Sequence, residues 1–123
     1  MPQLHSIAIF VKNLPRAIEF YRDTLGLPVS KEGSFGAEFF MEPAHLGVHP
    51  AVHPDAEALV GRHTGVTLAV PGLLHYCGEL HDKGVRFVTE PTRMSYGVMA
   101  MIADPEGNVF ALWEAVDPEA SGS

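Results

Sequence analysis

Residues 5–27, HSIAIFVKNLPRAIEFYRDTLGL, contain the signals of a strand, a turn and a short amphipathic helix in succession. In the strand, one face carries Ile7, Ile9 and Val11, and the other carries the residues between them. Asn13 is a residue type that caps a helix N-terminus, and a left-handed glycine, Gly26, is suited to end the helix. We therefore predict a strand over residues 4–11 whose aliphatic face packs against the helix that follows.

The same pattern occurs again 59 residues later. Residues 66–74, VTLAVPGLL, place Val70 at the position of Val11. Gly84 matches Gly26 after a slip of one residue. The chain is therefore predicted to contain two copies of one βαβββ unit.

The other elements follow from the positions of apolar runs, prolines and glycines. The first unit, about 4–50, is predicted to have further strands near 28–32, 35–42 and 45–49. Residues 51–63 are predicted to be a linker with a helical turn at 55–60. The second unit, about 64–115, is predicted to have a strand at 65–70, a helix at 73–83, a strand at 85–89, a loop at 91–95 and strands at 97–103 and 108–115. A DPEG turn at 104–107 joins the last two strands, and 116–123 is predicted to be a frayed tail.

Length and composition restrict both the architecture and the partners. At 123 residues the chain is predicted to be a single α+β domain, 1–123, in which the two units form a curved, partly closed mixed sheet around a concave pocket. A net charge of -7 with only 8 Lys and Arg argues against nucleic-acid binding, and no apolar run is long enough to span a membrane. The N-terminal residues lack the basic and apolar regions of a signal peptide, so we expect a cytoplasmic protein. The single Cys77 is expected to be a small core residue.

Strand alternation also predicts which side chains line the pocket. Phe10 and Trp113 supply flat surfaces on which an aromatic ligand could stack, and small residues leave open volume around them. His45 and His49 share one face of a strand; His45, like His53 and His63, is favoured to be solvated or locally hydrogen-bonded. The predicted lining consists of Ser6, Ala8, Phe10, His49, Thr67, Ala69, Ala111 and Trp113. A further set of large apolar residues is divided between the core and the rim of the cavity, and the sequence does not decide which residue belongs to which. The set consists of Phe35, Phe39, Phe40, Met94, Tyr96, Met99 and Met101.

Together these features resemble the vicinal oxygen chelate superfamily, the group of glyoxalase I, bleomycin-resistance proteins and extradiol dioxygenases. The resemblance runs from Ile7 to Glu114. Its most specific segments are VKNL at 11–14, FYRDTLGL at 20–27, DPEGN at 104–108 and LWE at 112–114. The resemblance implies the doubled βαβββ fold, but one scaffold hosts many chemistries.

In metal-using members of that superfamily, the ligands lie on the concave face of the first and last strands of each unit. The resemblance places these positions at Ser6, Gly65 and Ala111, with the fourth at Gly47 or His49. Hydroxyl and methyl groups are not usual ligands of Zn, Ni or Fe, so no cofactor is expected. The alternative is a shifted register in which a divalent metal (Zn, Ni or Fe) is held by His5, His49, His63 and Glu114.

The leading hypothesis is a small-molecule binding protein that sequesters an aromatic antibiotic or metabolite without metal. Such a protein would resemble the antibiotic-sequestering branch of that superfamily, in which binding alone is the function. The proposed ligand-binding residues are Ser6, Phe10, His49, Thr67, Ala111 and Trp113. The alternatives are a glyoxalase-like metal-dependent lyase or isomerase or a dioxygenase-related enzyme, with Glu114 or Glu38 moving a proton in the glyoxalase-like case, and a metal-free enzyme with His49 as the general base. Edge strands and the resemblance favour a homodimer, and whether the units pair within a chain or exchange between chains stays open.

Overall fold

The computed structural model describes residues 1–115; residues 116–123, where the sequence predicts a frayed tail, lie outside the described residues. Unit 1 comprises residues 1–62 and 105–108, and unit 2 comprises residues 63–104 and 109 onward. Unit 1 contains β1 (Ser6–Val11), α1 (Leu14–Glu19), β2 (Val29–Gly33), β3 (Gly36–Phe39), β4 (His45–Pro50) and α2 (Pro54–Glu57). Unit 2 contains β5 (His63–Ala69), α3 (Leu73–Asp82), β6 (Arg86–Met94), β7 (Gly97–Ala103) and β8 (Val109–Ala115).

Each unit contains one four-stranded mixed sheet, and the two sheets have the same topology. The strand orders are β1-β4-β3-β2 and β5-β8-β7-β6. The first pair of each sheet is parallel, and the other pairs are antiparallel. The predicted α+β class and the doubled βαβββ order are therefore confirmed.

The first helix begins as its sequence predicts. The side-chain oxygen of Asn13 accepts a hydrogen bond from the backbone N–H of Arg16 at 3.1 Å, and Pro15 lies in the first turn. A π-helical segment, Phe20–Thr24, continues α1, and Gly26 then leaves it with a φ of 73°. Helix start and exit are thus set by local residue types.

The core of unit 1 lies between α1 with its π-helical continuation and one face of the sheet. Ile9 and Val11 are buried, as the alternation predicts, whereas Ile7 is 39% exposed. Tyr21 is fully buried, and its ring centroid is 6.0 Å from that of Phe39. Burying an aromatic side chain of this size typically contributes several kcal/mol, so this face stabilises the unit.

In unit 2, α3 covers the corresponding face. Leu73, Cys77 and Leu80 are buried on α3, and Ile102 and Leu112 are buried on the sheet. The prediction that Cys77 is a core residue is confirmed, since it is 1% exposed. The helices are short: α3 spans 10 residues, and no helix within residues 1–115 is long and apolar enough to cross a bilayer.

The predicted loop at residues 91–95 is wrong, because β6 continues through Pro91 to Met94. Among the strands of residues 1–115, β6 is the outer strand of its sheet and pairs only with β7. The pairing register shifts between Thr89 and Thr92, on either side of the proline. An edge strand with an irregular register accommodates a residue that has no N–H to donate, which explains the difference.

Candidate functional site

The sheet of unit 1 has a face opposite α1 that carries polar and aromatic side chains. β1 and β4 pair so that Ser6 lies opposite His45, Ala8 opposite Gly47 and Phe10 opposite His49. On the other edge of β4, Glu38 of β3 pairs with Gly47. We call this set the front face of unit 1; it comprises Ser6, Ala8, Phe10, Glu38, His45, Gly47 and His49.

His49 is held in a defined orientation on this front face. Its Nδ1 atom lies 3.2 Å from the backbone carbonyl oxygen of Phe35. The rings of Phe10 and Phe35 each have centroids 6.4 Å from the His49 ring. A Cβ atom built on Gly47 would lie 2.5 Å from Nε2, and one built on Gly36 would lie 3.1 Å from Nδ1. The imidazole therefore occupies space that two glycines leave open.

His45, four residues earlier in the same strand, has a similar hydrogen-bonded anchor. Its Nδ1 atom lies 2.8 Å from the carbonyl oxygen of Phe40, a residue with a positive φ of 64°. The His5 ring meets the His45 ring edge-on at 5.7 Å. The expectation that His45 is a locally hydrogen-bonded imidazole on the same face as His49 agrees with this geometry.

The face of the unit 2 sheet opposite α3, which we call the front face of unit 2, is more apolar than the front face of unit 1. Thr67 lies opposite Ala111 and Ala69 opposite Trp113, and β7 places Met99 and Met101 beside them. The Trp113 ring lies over Gly97, where an added Cβ would come within 2.7 Å of the ring. A cavity of about 250 Å³ next to Trp113 is lined by Ala69, Val70, Pro71, Trp113, Glu114 and Ala115. The structure thus assigns both methionines, which sequence alone left unsorted, to the face that carries Trp113.

Strand pairing decides which residue of unit 1 corresponds to Ala111. Ala8 pairs with Gly47, and Thr67 pairs with Ala111. Since Ala8 and Thr67 are related by the 59-residue repeat, Gly47 is the counterpart of Ala111. His49 is then the counterpart of Trp113.

The four positions implied for metal ligands are therefore occupied by Ser6, Gly47, Gly65 and Ala111. These residues do not fit a metal ion, because two have no side chain, one has a methyl group and one has a hydroxyl group. Within residues 1–115, no group of three or more His, Cys, Asp or Glu side chains is placed to hold a metal.

The shifted ligand set is divided between the two units. His5 and His49 belong to unit 1, and His63 and Glu114 belong to unit 2. The Glu114 carboxylate accepts hydrogen bonds from the backbone N–H groups of Gly72 at 2.7 Å and Leu73 at 3.0 Å. These bonds lower the pKa of Glu114, so its carboxylate is a poor proton acceptor and serves to bind the start of α3.

The DPEGN segment has a structural role that sequence reasoning missed. Glu106 accepts hydrogen bonds from the backbone N–H groups of Lys12 at 2.6 Å and Asn13 at 2.8 Å. The fully buried Asn108 accepts from the Gly61 N–H at 2.9 Å and donates to the Phe10 carbonyl oxygen at 3.1 Å. Two of the segments that carry the family resemblance, VKNL and DPEGN, thus bind one another and fix the end of β1.

The chain matches the model of the glyoxalase/bleomycin resistance protein/dioxygenase superfamily over residues 3–112. It therefore belongs to that superfamily, as its sequence motifs predict.

The chain is also similar to individual proteins and solved structures. The chain is 29% identical over 121 residues to YurT of Bacillus subtilis (strain 168), covering 85% of this chain and 93% of YurT. TnmS3, an antibiotic binding protein from Streptomyces sp. CB03234, has a similar structure, with a TM-score of 0.79, 22% identity and coverage of 94% of this chain and 98% of TnmS3. A superfamily member from Sphaerobacter thermophilus DSM 20745 also has a TM-score of 0.79, with 23% identity and coverage of 93% and 98%. At this level of identity, the two structures establish a common fold.

Proposed function

We propose that this protein binds a small, largely apolar or aromatic molecule without a metal ion, and that sequestration of this molecule is its function. The observation that carries the proposal is the anchored imidazole of His49 beside Phe10 on the front face of unit 1. It combines a directional polar group with a flat apolar surface, which is how small-molecule sites fix the orientation of a ligand. Ser6, on the same face, would supply a second hydrogen bond.

The front face of unit 2 supports the same proposal through shape. Trp113 supplies a flat surface, and Met99 and Met101 supply adaptable apolar contacts next to it. Thr67 and Ala111 are small enough to leave open volume above the sheet. TnmS3, whose fold this chain shares, is described as an antibiotic binding protein, and this supports the inclusion of antibiotics among the candidate ligands.

The test is calorimetric titration of the purified protein with a panel of aromatic antibiotics and metabolites that includes bleomycin and hydroxylated anthraquinones. We expect saturable binding of at least one compound, and a loss of about tenfold in affinity in His49→Ala. His75→Ala is the matched control, because the His75 side chain on α3 is 85% exposed. Absence of saturable binding across the panel, or equal affinity in the two variants, would contradict the proposal.

An enzyme is the second candidate, and one observation favours it. Nδ1 of His49 lies 3.2 Å from a carbonyl oxygen, which can only accept a hydrogen bond, so Nε2 would be the nitrogen that takes a proton from a substrate. Turnover of a hemithioacetal or another carbonyl substrate that disappears in His49→Ala, with the fold intact, would favour this candidate. Elemental analysis of protein prepared without chelator tests the metal-dependent form: stoichiometric Zn, Ni or Fe would replace our proposal with a metal-dependent lyase, isomerase or dioxygenase-related activity.

We also propose that the protein is a cytoplasmic homodimer. All five residues of β2, Val29–Gly33, are exposed, and β2 is the outer strand of its sheet. Exposed edge strands favour association with a second copy. Light scattering coupled to size-exclusion chromatography should give twice the mass of 13.3 kDa, and a monomer mass would refute this part of the proposal.

A further inference from the structure

The hydrogen bond of His49 determines which of its ring nitrogens carries the proton. Nδ1 lies 3.2 Å from the Phe35 carbonyl oxygen, which can only accept a hydrogen bond. Nδ1 must therefore carry the hydrogen in the neutral ring. Nε2 is left with its lone pair and acts as an acceptor.

Two glycines place this acceptor close to the sheet. The Nε2 atom lies over Gly47, at 2.5 Å from the position that a Cβ there would occupy. Gly36, with a φ of 129°, leaves room beside Nδ1. Phe10 lies directly opposite His49 in the parallel pair, with its ring tilted by 44° to the imidazole. The front face of unit 1 therefore presents a hydrogen-bond acceptor next to an aromatic ring.

We infer that the ligand of this site carries an O–H or N–H donor on its aromatic system, a phenol being the simplest case, and that this group donates to Nε2 of His49. This inference rests on the proposed binding function and narrows its ligand class. An ether or carbonyl oxygen at the same place would bring its lone pairs against the lone pair of Nε2 and leave Nε2 without a hydrogen bond. An O–H or N–H donor there would form that hydrogen bond. His49 is then the residue that selects hydroxylated over alkylated aromatic ligands.

The inference is tested with two probes that share one aromatic surface, 2-hydroxyanthraquinone and 2-methoxyanthraquinone. In calorimetric titrations of the full chain, we expect the hydroxyl probe to bind about tenfold more tightly than the methyl ether. His49→Phe keeps a flat ring but lacks Nε2, so the two probes should bind it with equal affinity. His75→Phe, at the exposed position on α3, should keep the tenfold difference.

Gly47→Ala tests the placement of the ring without removing it. The new methyl group would displace Nε2 from its position, so the preference for the hydroxyl probe should fall. Long-range proton–nitrogen NMR correlations of the ligand-free protein report directly which nitrogen of His49 is protonated, and we expect Nδ1.

The possible failures are distinguishable. Equal binding of the two probes to the wild-type chain, or a proton on Nε2, would overturn the inference while leaving the binding function intact. Failure of both probes to bind would overturn the proposed binding of hydroxylated aromatic molecules, and the NMR result would still decide the tautomer.

Discussion

Replacement of Glu106 by alanine should lower the free energy of unfolding by about 2 kcal/mol. The carboxylate accepts two short hydrogen bonds from the backbone of Lys12 and Asn13, and 7% of the side chain is exposed. A hydrogen bond to a charged group contributes about 1.5–3 kcal/mol. Lys12 and Asn13 are themselves exposed, so water will hydrate both N–H groups in the variant and reduce the summed loss to about 2 kcal/mol.

The measurement is urea unfolding followed by far-ultraviolet circular dichroism. Folded proteins typically have a free energy of unfolding of about 5–15 kcal/mol, so a change of this size shifts the midpoint clearly. Glu19→Ala is the matched control, since it removes an exposed carboxylate from α1. Glu106→Gln, which can still accept through its amide oxygen, should lose about half as much. If Glu106→Ala differed from Glu19→Ala by less than about 0.5 kcal/mol, the two backbone bonds would not hold the start of α1.

Three further predictions concern other buried or hydrogen-bonded groups. Asn108→Ala leaves the Gly61 N–H and the Phe10 carbonyl without this partner and should cost about 2–3 kcal/mol in urea unfolding; a loss below about 1 kcal/mol would show that both groups find water. The pKa of Glu114 is lowered in the folded chain, so its stabilisation is present above the ordinary value of 4.5 and is lost as the pH falls through the folded pKa. Unfolding midpoints measured from pH 7 to pH 3 should therefore fall less steeply in Glu114→Gln than in the parent chain, and parallel curves would contradict this. Burial raises the pKa of Cys77, which is 1% exposed, so native protein should react with a thiol reagent far more slowly than urea-unfolded protein; similar rates would place the thiol outside the core.

Local signals in the sequence were sufficient for much of the fold. The Asn13 cap, the left-handed Gly26 and the turn at 104–107 depend on residues within one or two turns of each other. The doubled pattern predicted two identical topologies, and alternation in β1 predicted that Ile9 and Val11 would be buried. The prediction of a loop at 91–95 was wrong because a proline interrupts a strand only where a backbone N–H is needed for pairing. The edge position of β6, where no such N–H is needed, is set by the tertiary structure.

The candidate site was predicted less completely. Alternation placed Phe10 and His49 on one face of unit 1, and Thr67, Ala111 and Trp113 on one face of unit 2, and the register agrees with this placement. Whether these residues bind a ligand remains a prediction. Sequence could not choose between Gly47 and His49 as the counterpart of Ala111, because that choice depends on the register between strands that are far apart in the chain.

By itself, the sequence determined the doubled βαβββ order, its apolar faces and the superfamily, because periodicity, caps and turns are encoded in neighbouring residues. Only the tertiary structure decided that Glu106 and Asn108 bind the end of β1, across 93 to 98 residues of chain. It also decided that Nδ1 of His49 lies 3.2 Å from the Phe35 carbonyl oxygen, the contact from which the tautomer is inferred. Hydrogen bonds of this kind join groups whose approach is set by strand register and loop path, and no local pattern of residues specifies those distances.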